Sequence, residues 1–318
     1  MTTYKEIRGT NIEAVASDPS NPVEGQVWYN TTSNTVKGVV DGGSWATGNS
    51  MGTARYDLAG AGTQTAALAF GGYIGGYSAL TESYNGTNWT EVNDLTTARA
   101  YLAGCGTNTA ALVFGGSIPP NSALTETWNG TNWTEVNDLT TARRFLGGAG
   151  TNTAALAFGG EYTAVPSTTL TELWNGTNWT EVNDLNTARQ KLAGAGATNT
   201  AALAFGGSLA TPTNTELWNG TNWTEVNGLN TARSYLAGCG TSTAALAFGG
   251  VAPAITAVTE TWNGTNWTNQ NNLNTARKQL AGAGTNTAAL AFAGFAPPAV
   301  AVTEEFTAGP ATVTFDVS

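Results

Sequence analysis

Histidine is absent from all 318 residues. That removes the commonest general base and the commonest metal ligand near neutral pH. Cysteine occurs only twice, at Cys105 and Cys239, too few for a structural zinc site. No cofactor and no metal site is therefore expected. Charge is also scarce. Only 11% of residues are charged, 12 basic against 22 acidic, for a net charge of −10. So few Lys and Arg exclude the phosphate neutralisation on which nucleic-acid binding leans. No run of 18 apolar residues occurs, so no membrane insertion is expected. The first ten residues lack the apolar stretch of a secretory signal. Nowhere do apolar residues recur with a helical period, which leaves an all-β chain.

What is present is repetition. Arg55, Arg99, Arg143, Arg189, Arg233 and Arg277 stand 44, 44, 46, 44 and 44 residues apart, each opening a copy of one sequence unit. A fixed period of this size marks a supersecondary unit that buries its apolar faces against its neighbours. Each unit holds four short strand-like runs. In blade one the first two fall at residues 58–62 and 66–70; in unit two the last two fall at 124–128 and 132–136. In the second run Leu68 and Phe70 share one face and alanines the other, the period-2 signature of a strand. Asn129-Gly130 and its counterparts join the last two runs, and Asn-Gly accepts the positive φ of a tight hairpin. Six four-stranded units predict a six-bladed β-propeller. The small first run, Leu-Ala-Gly-x-Gly, suits the crowded strand nearest the axis.

Tyr84, Trp128, Trp174, Trp218 and Trp262 in the third run, with Trp89, Trp133, Trp179, Trp223 and Trp267 in the fourth, are read as inter-blade core, because aromatics of this size bury the most surface. Glu82, Glu126, Glu172, Glu216, Glu260 and Glu304 each lie two residues before their aromatic and are read as partners of the repeated arginines. Cys105 and Cys239 fall in the same slot of units two and five, on opposite sides of a six-membered ring, too far apart for a disulfide. Both are expected to be free and buried.

An arginine after a turn, a Gly-Gly doublet (Gly71-Gly72, Gly115-Gly116, Gly159-Gly160, Gly206-Gly207, Gly249-Gly250) and a spaced aromatic and Trp resemble the kelch repeat over residues 45–306. The sixth unit departs, with Ala293-Gly294 for the doublet, Phe306 for the aromatic, and no Asn-Gly-Thr-Asn-Trp segment. Trp45 stands ten residues before Arg55, as Trp89 does before Arg99. Residues 44–49 therefore predict a fourth strand from the N-terminal side that completes the sixth blade; residues 312–317 are the competing candidate. The domain reading is an extended arm over residues 1–25, then a propeller over 26–318.

The resemblance does not bring an active site. A kelch-like copper enzyme of the galactose oxidase kind needs histidine, and the Asp-box of sialidase propellers is missing. The carboxylates repeat six-fold, whereas a glycosidase needs one asymmetric pair. No catalytic residue is assigned, and a glycan-active enzyme remains only the remote alternative. Variation between units is confined to two connections, one after the Gly-Gly doublet and one after the repeated arginine. Both are expected on the same face of the ring. Tyr73, Tyr77, Tyr101, Phe145, Tyr162, Tyr235 and Phe295 lie there and are the candidate binding residues, since exposed aromatics on a rigid scaffold are what binding loops use.

Residues 16–38, containing Glu-Gly-Gln-Val-Trp-Tyr-Asn-Thr-Thr, resemble the N-terminal segment of virion proteins of marine tailed bacteriophages. That resemblance implies a non-enzymatic virion protein of a tail, fibre or capsid surface. Its arm would dock on other virion proteins, and its loop face would meet a host-surface saccharide or protein. The alternative is a purely architectural decoration or cementing role.

Overall fold

The computed structural model describes residues 12–20, 26–163, 165–208 and 213–315. They are entirely β-strand, turn and loop. The chain divides into a large unit, residues 45–307, and a small one, residues 1–44 with 308–318.

The large unit is the six-bladed propeller. Blade one runs Ala59–Thr63, Ala66–Phe70, Thr81–Tyr84 and Trp89–Val92, an antiparallel sheet in chain order. Blades two to five repeat it, and the first strands of neighbouring blades touch in cyclic order, including the sixth against the first. Blade six runs Ala281–Gly284, Ala288–Phe292 and Thr303–Thr307, and its fourth strand is Ser44–Gly48. The N-terminal strand thus completes the ring as expected. The competing segment is engaged elsewhere: Pro310–Phe315 pairs with Thr35–Asp41 in the small unit.

Each blade meets the next large face to small face. Leu68 and Phe70 of blade one pack against Ala111 and Val113 of blade two, while Ala67 and Ala69 face Leu290 and Phe292 of blade six. The period-2 alternation therefore encodes both interfaces of a blade that is buried on two sides. The fourth-strand tryptophan seals each junction. Trp133 lies edge-on to Phe70 at 5.0 Å and donates from Nε1 to Thr81 Oγ1 of the preceding blade at 3.1 Å. Trp45 does the same to Phe248 and Thr259, and Trp89 to Phe292 and Thr303, so the two junctions flanking blade six match the other four. Inner-strand glycines make room for these phenylalanines: a Cβ on Gly194 would lie 2.6 Å from Phe158 Cζ and 2.7 Å from the Gly148 carbonyl.

The repeated arginines clamp each inter-blade connection to the blade that follows. Arg143 is fully buried, and its Nη2 donates to Glu172 Oε1 at 2.9 Å; the other oxygen of Glu172 accepts from the Thr140 amide at 2.7 Å. Arg55–Glu82, Arg99–Glu126, Arg189–Glu216, Arg233–Glu260 and Arg277–Glu304 repeat the pair. Burial pulls the Arg143 guanidinium below its ordinary value, and Glu172 opposes the shift. Cys105 and Cys239 are free and buried, and burial pushes both thiols up to about 12.

The small unit corrects the domain reading, which gave residue 26 onward to the propeller. Val27–Asn30 and Thr35–Asp41 form a hairpin; Glu13–Val15 adds in parallel to the first, and Pro310–Phe315 antiparallel to the second. Asp18 ties the unit together, accepting from Trp28 Nε1 at 3.1 Å, Asn30 Nδ2 at 2.6 Å and Lys37 Nζ at 2.7 Å. The Lys37 contact, with Asn30 and Trp28, holds its carboxyl down at about 2. A sheet assembled from both ends of the chain lies outside any repeat, so periodicity could not reveal it. Of the expected arm, residues 1–11 and 21–25 lie outside the described residues, and Glu13–Val15 is a sheet strand rather than free arm.

Candidate binding face

The two variable connections of each blade meet backbone to backbone. Tyr56 bridges Tyr73, Ala100 bridges Ser117, Arg144 bridges Glu161, Gln190 bridges Ser208, Ser234 bridges Val251 and Lys278 bridges Phe295. Both sets of variable residues therefore share one face, as expected. The opposite connections repeat two turns: Asn129 Oδ1 accepts from the Thr131 and Asn132 amides at 2.9 Å, and Thr107 Oγ1 accepts from the Ala110 amide at 3.0 Å. The Gly-Gly doublet lets the two loops approach. Gly71 has φ of +68°, and a Cβ there would lie 2.9 Å from the Arg99 carbonyl of the next connection.

The residue two after each repeated arginine is Asp57, Tyr101, Phe145, Lys191, Tyr235 or Gln279. All six take left-handed φ between +55° and +60°. Non-glycine residues adopt this region seldom, at a cost of about 1–3 kcal/mol, and keep it where surrounding structure over-determines it. Here the cause is a closed circle of backbone hydrogen bonds around the axis. Tyr101 donates to the Asp57 carbonyl, Phe145 to Tyr101, Lys191 to Phe145, Tyr235 to Lys191, Gln279 to Tyr235, and Asp57 to Gln279, all at 2.9–3.0 Å. The circle fixes these six residues around an axial cavity of about 130 Å³, which Leu58 and its five counterparts also line.

The seven sequence-predicted residues fall into three groups. Tyr101, Phe145 and Tyr235 stand at the axial mouth, with ring centroids 4.5 Å apart for the first pair and 5.9 Å for the second. Tyr73, Tyr77 and Phe295 lie outside that lining: Tyr56 sits 5.5 Å from Tyr73 and 5.3 Å from Phe295, and Tyr77 packs edge-on to Tyr73 at 5.8 Å. Tyr162 lines a separate cleft of about 490 Å³ with Tyr77, Pro119, Pro120 and Arg144. All seven are half-buried rather than exposed, because they pack on one another and on neighbouring loops. Among the described residues of the propeller, Ile74, between Tyr73 and Tyr77, is the exposed large apolar one, at 48%.

Selecting only aromatics missed the polar members of the same columns. Asp57, Lys191 and Gln279 complete the mouth, and Arg144 and Lys278 flank it. Their signal was in the sequence, since each occupies one of the two positions after a repeated arginine. Asp57 is buried; Gln279 Nε2 donates to its Oδ2 at 2.6 Å. Burial pushes its carboxyl up to about 7, against the Gln279 hydrogen bond and the charges of Lys278 and Lys191. Burial likewise raises the Tyr101 phenol to about 12. Residues 209–212, in the blade-four loop, lie outside the described residues.

The arrangement offers rings and a few charges around a shallow depression. No family model and no curated protein matches the chain.

Proposed function

We propose that the chain is a non-enzymatic, kelch-like virion protein of a tailed bacteriophage, located on a tail, fibre or capsid surface, and that its variable loop face recognises a host-surface saccharide or protein. The observation that carries the reading is the asymmetry of the two faces. Sequence variation, aromatic clusters and the propeller's unburied cations gather on one face, while the other repeats the same two turns. Scaffold and variable loops divide the labour as in other binding proteins, a rigid frame holding adaptable tips. The virion assignment rests on the resemblance of residues 16–38 to phage virion proteins.

The test is adsorption competition. Purified protein is added to host cells before phage, and free particles are counted. The parent is expected to block adsorption, and Tyr73→Ser with Tyr101→Gln to abolish the block. Ser and Gln already occupy these positions in other blades, as Ser117 and Gln279, so the fold tolerates them. Variants that compete as well as the parent would overturn the loop-face reading.

A second reading, architectural decoration through contacts with other virion proteins, is favoured by the small unit, a separate sheet that provides a second body for docking. It takes precedence if folded protein neither binds cells nor blocks adsorption.

A further inference from the structure

Nine Lys and Arg residues lie in the propeller, and six of them are the buried clamps. The remaining three are all on the loop face, in one arc interleaved with rings. Arg144 lies 5.8 Å from the Tyr101 ring and 5.3 Å from Phe145; Lys191 lies 5.3 Å from Phe145 and 4.8 Å from Tyr235; Lys278 lies 5.6 Å from Tyr235 and 5.5 Å from Phe295. Arg144 is engaged by Glu161 at 2.6 Å. Lys191 and Lys278 make no ion pair among the described residues. In a chain of net charge −10, two unpaired ammonium groups beside one cavity concentrate positive potential there.

Deepening the proposed function, and resting on it, we propose that the axial mouth binds an acidic sugar, its carboxylate or sulfate held by Lys191 and Lys278 and its ring laid against Tyr235. The cations are already ordered over aromatic faces, so binding forfeits less side-chain freedom than on an open surface. The cavity, about 130 Å³, is small beside the roughly 300–1,000 Å³ of pockets that enclose a whole drug-sized ligand. It suits one acid group and one face of a pyranose. The circle around the axis consumes the amides and carbonyls of all six rim residues. No backbone edge is left there for an extended peptide to pair with, the usual route to peptide affinity on β-proteins. Recognition therefore falls to side chains. Asp57 lies in the same ring, its buried carboxyl accepting from Gln279 Nε2.

The experiment is calorimetric titration of the full chain with methyl glucuronide, glucose 6-sulfate, methyl glucoside and tetraglutamate. The glucuronide or the sulfate is expected to bind, with affinity falling as salt is raised, and the uncharged glucoside at least tenfold more weakly. Which acid binds better separates a carboxylated from a sulfated glycan. Lys191→Gln with Lys278→Gln is expected to lower the acidic-sugar affinity at least tenfold while leaving the thermal transition in place. Gln279 and Gln190 already occupy these two columns, so the double variant keeps residues the ring accepts. Equal binding of the glucoside, preference for tetraglutamate, unchanged affinity in the double variant, or no binding of either acidic sugar at millimolar concentration would each overturn the inference. If the parent blocks phage adsorption and the double variant blocks it equally, the acidic-sugar site fails while the proposed function stands. If the acidic sugar binds through these lysines and no adsorption is blocked, the proposed function fails instead.

Discussion

Asp57 is the residue at which the axial ring departs most from ordinary solution chemistry. Its φ of +55° is accessible to Asp, which tolerates the left-handed region better than most residues. Burial raises its carboxyl from 3.8 to about 7. A carboxyl raised on folding binds its proton more tightly in the folded chain. Its contribution to stability is thus complete below the unfolded value, declines as pH rises from about 4, and is lost once pH passes about 7. Asp57→Asn removes this titration and keeps both the φ preference and a polar partner for Gln279. Urea unfolding is expected to show the parent losing up to about 4 kcal/mol relative to the variant between pH 4 and pH 7.5. Parallel pH profiles for the two proteins would show that Asp57 titrates normally. The clamp arginines face the opposite situation. Each keeps its charge inside the protein because a glutamate and one to three carbonyls surround it: Ala69 alone at Arg55, and Gly159, Leu170 and Ala157 at Arg143. Their Nε atoms have no hydrogen-bond partner. The buried pair serves geometry, fixing each connection to its blade, more than net stability.

The blade is the element on which the ring depends. It is four short strands with no self-sufficient core: its second strand is buried on both faces, and each face is completed by a different neighbour. Within a blade, the third- and fourth-strand aromatics stack, as Trp128 on Trp133 at 5.4 Å. Between blades, Asn93 reaches the next Asn-Gly-Thr-Asn turn, donating to Asn132 Oδ1 at 2.8 Å, and Asn49 makes the matching contact to Asn88 at 3.0 Å. If Ser44–Gly48 is a full member of blade six, Trp45 should carry the same energy as its counterparts. Trp45→Ala and Trp133→Ala are each expected to cost about 3–5 kcal/mol in denaturant unfolding, from a lost aromatic contact, a void beside Phe248 or Phe70, and an unpaired threonine hydroxyl. A cost for Trp45→Ala below about 1 kcal/mol would mean that the sixth blade does not need its N-terminal strand.

At the scale of the whole molecule, closure is non-local. One blade draws strands from residues 44–48 and 281–307, so the ring is complete only when distant parts of the chain meet. Such an arrangement removes the exposed edge that a blade lacking its fourth strand would present. Deleting residues 40–50 is expected to abolish the cooperative unfolding transition of the propeller. Deleting 308–318 should leave it within a few degrees, because that segment belongs to the small unit. Circular dichroism during thermal unfolding distinguishes the two, and the reverse pattern would place closure at the C-terminal end.

The repeat itself determined the fold class, the blade count, the strand assignments, the Arg–Glu pairing and the closing strand. These features depend on local pattern copied six times, and Trp45 betrays its role by sitting at the spacing its counterparts share. The sequence also located the variable columns, and aromatics in them are half of the six residues around the axial cavity. Only the tertiary structure showed that the six residues two after each arginine form a single hydrogen-bonded circle, because their neighbours in space are 44 or more residues apart in the chain. For the same reason it alone put Asp57 beside Gln279 and interleaved Lys191 and Lys278 with Tyr235. The small sheet was equally hidden: its strands come from both chain ends and occur once, so no period announces them, and pairing across that distance is decided by the folded backbone.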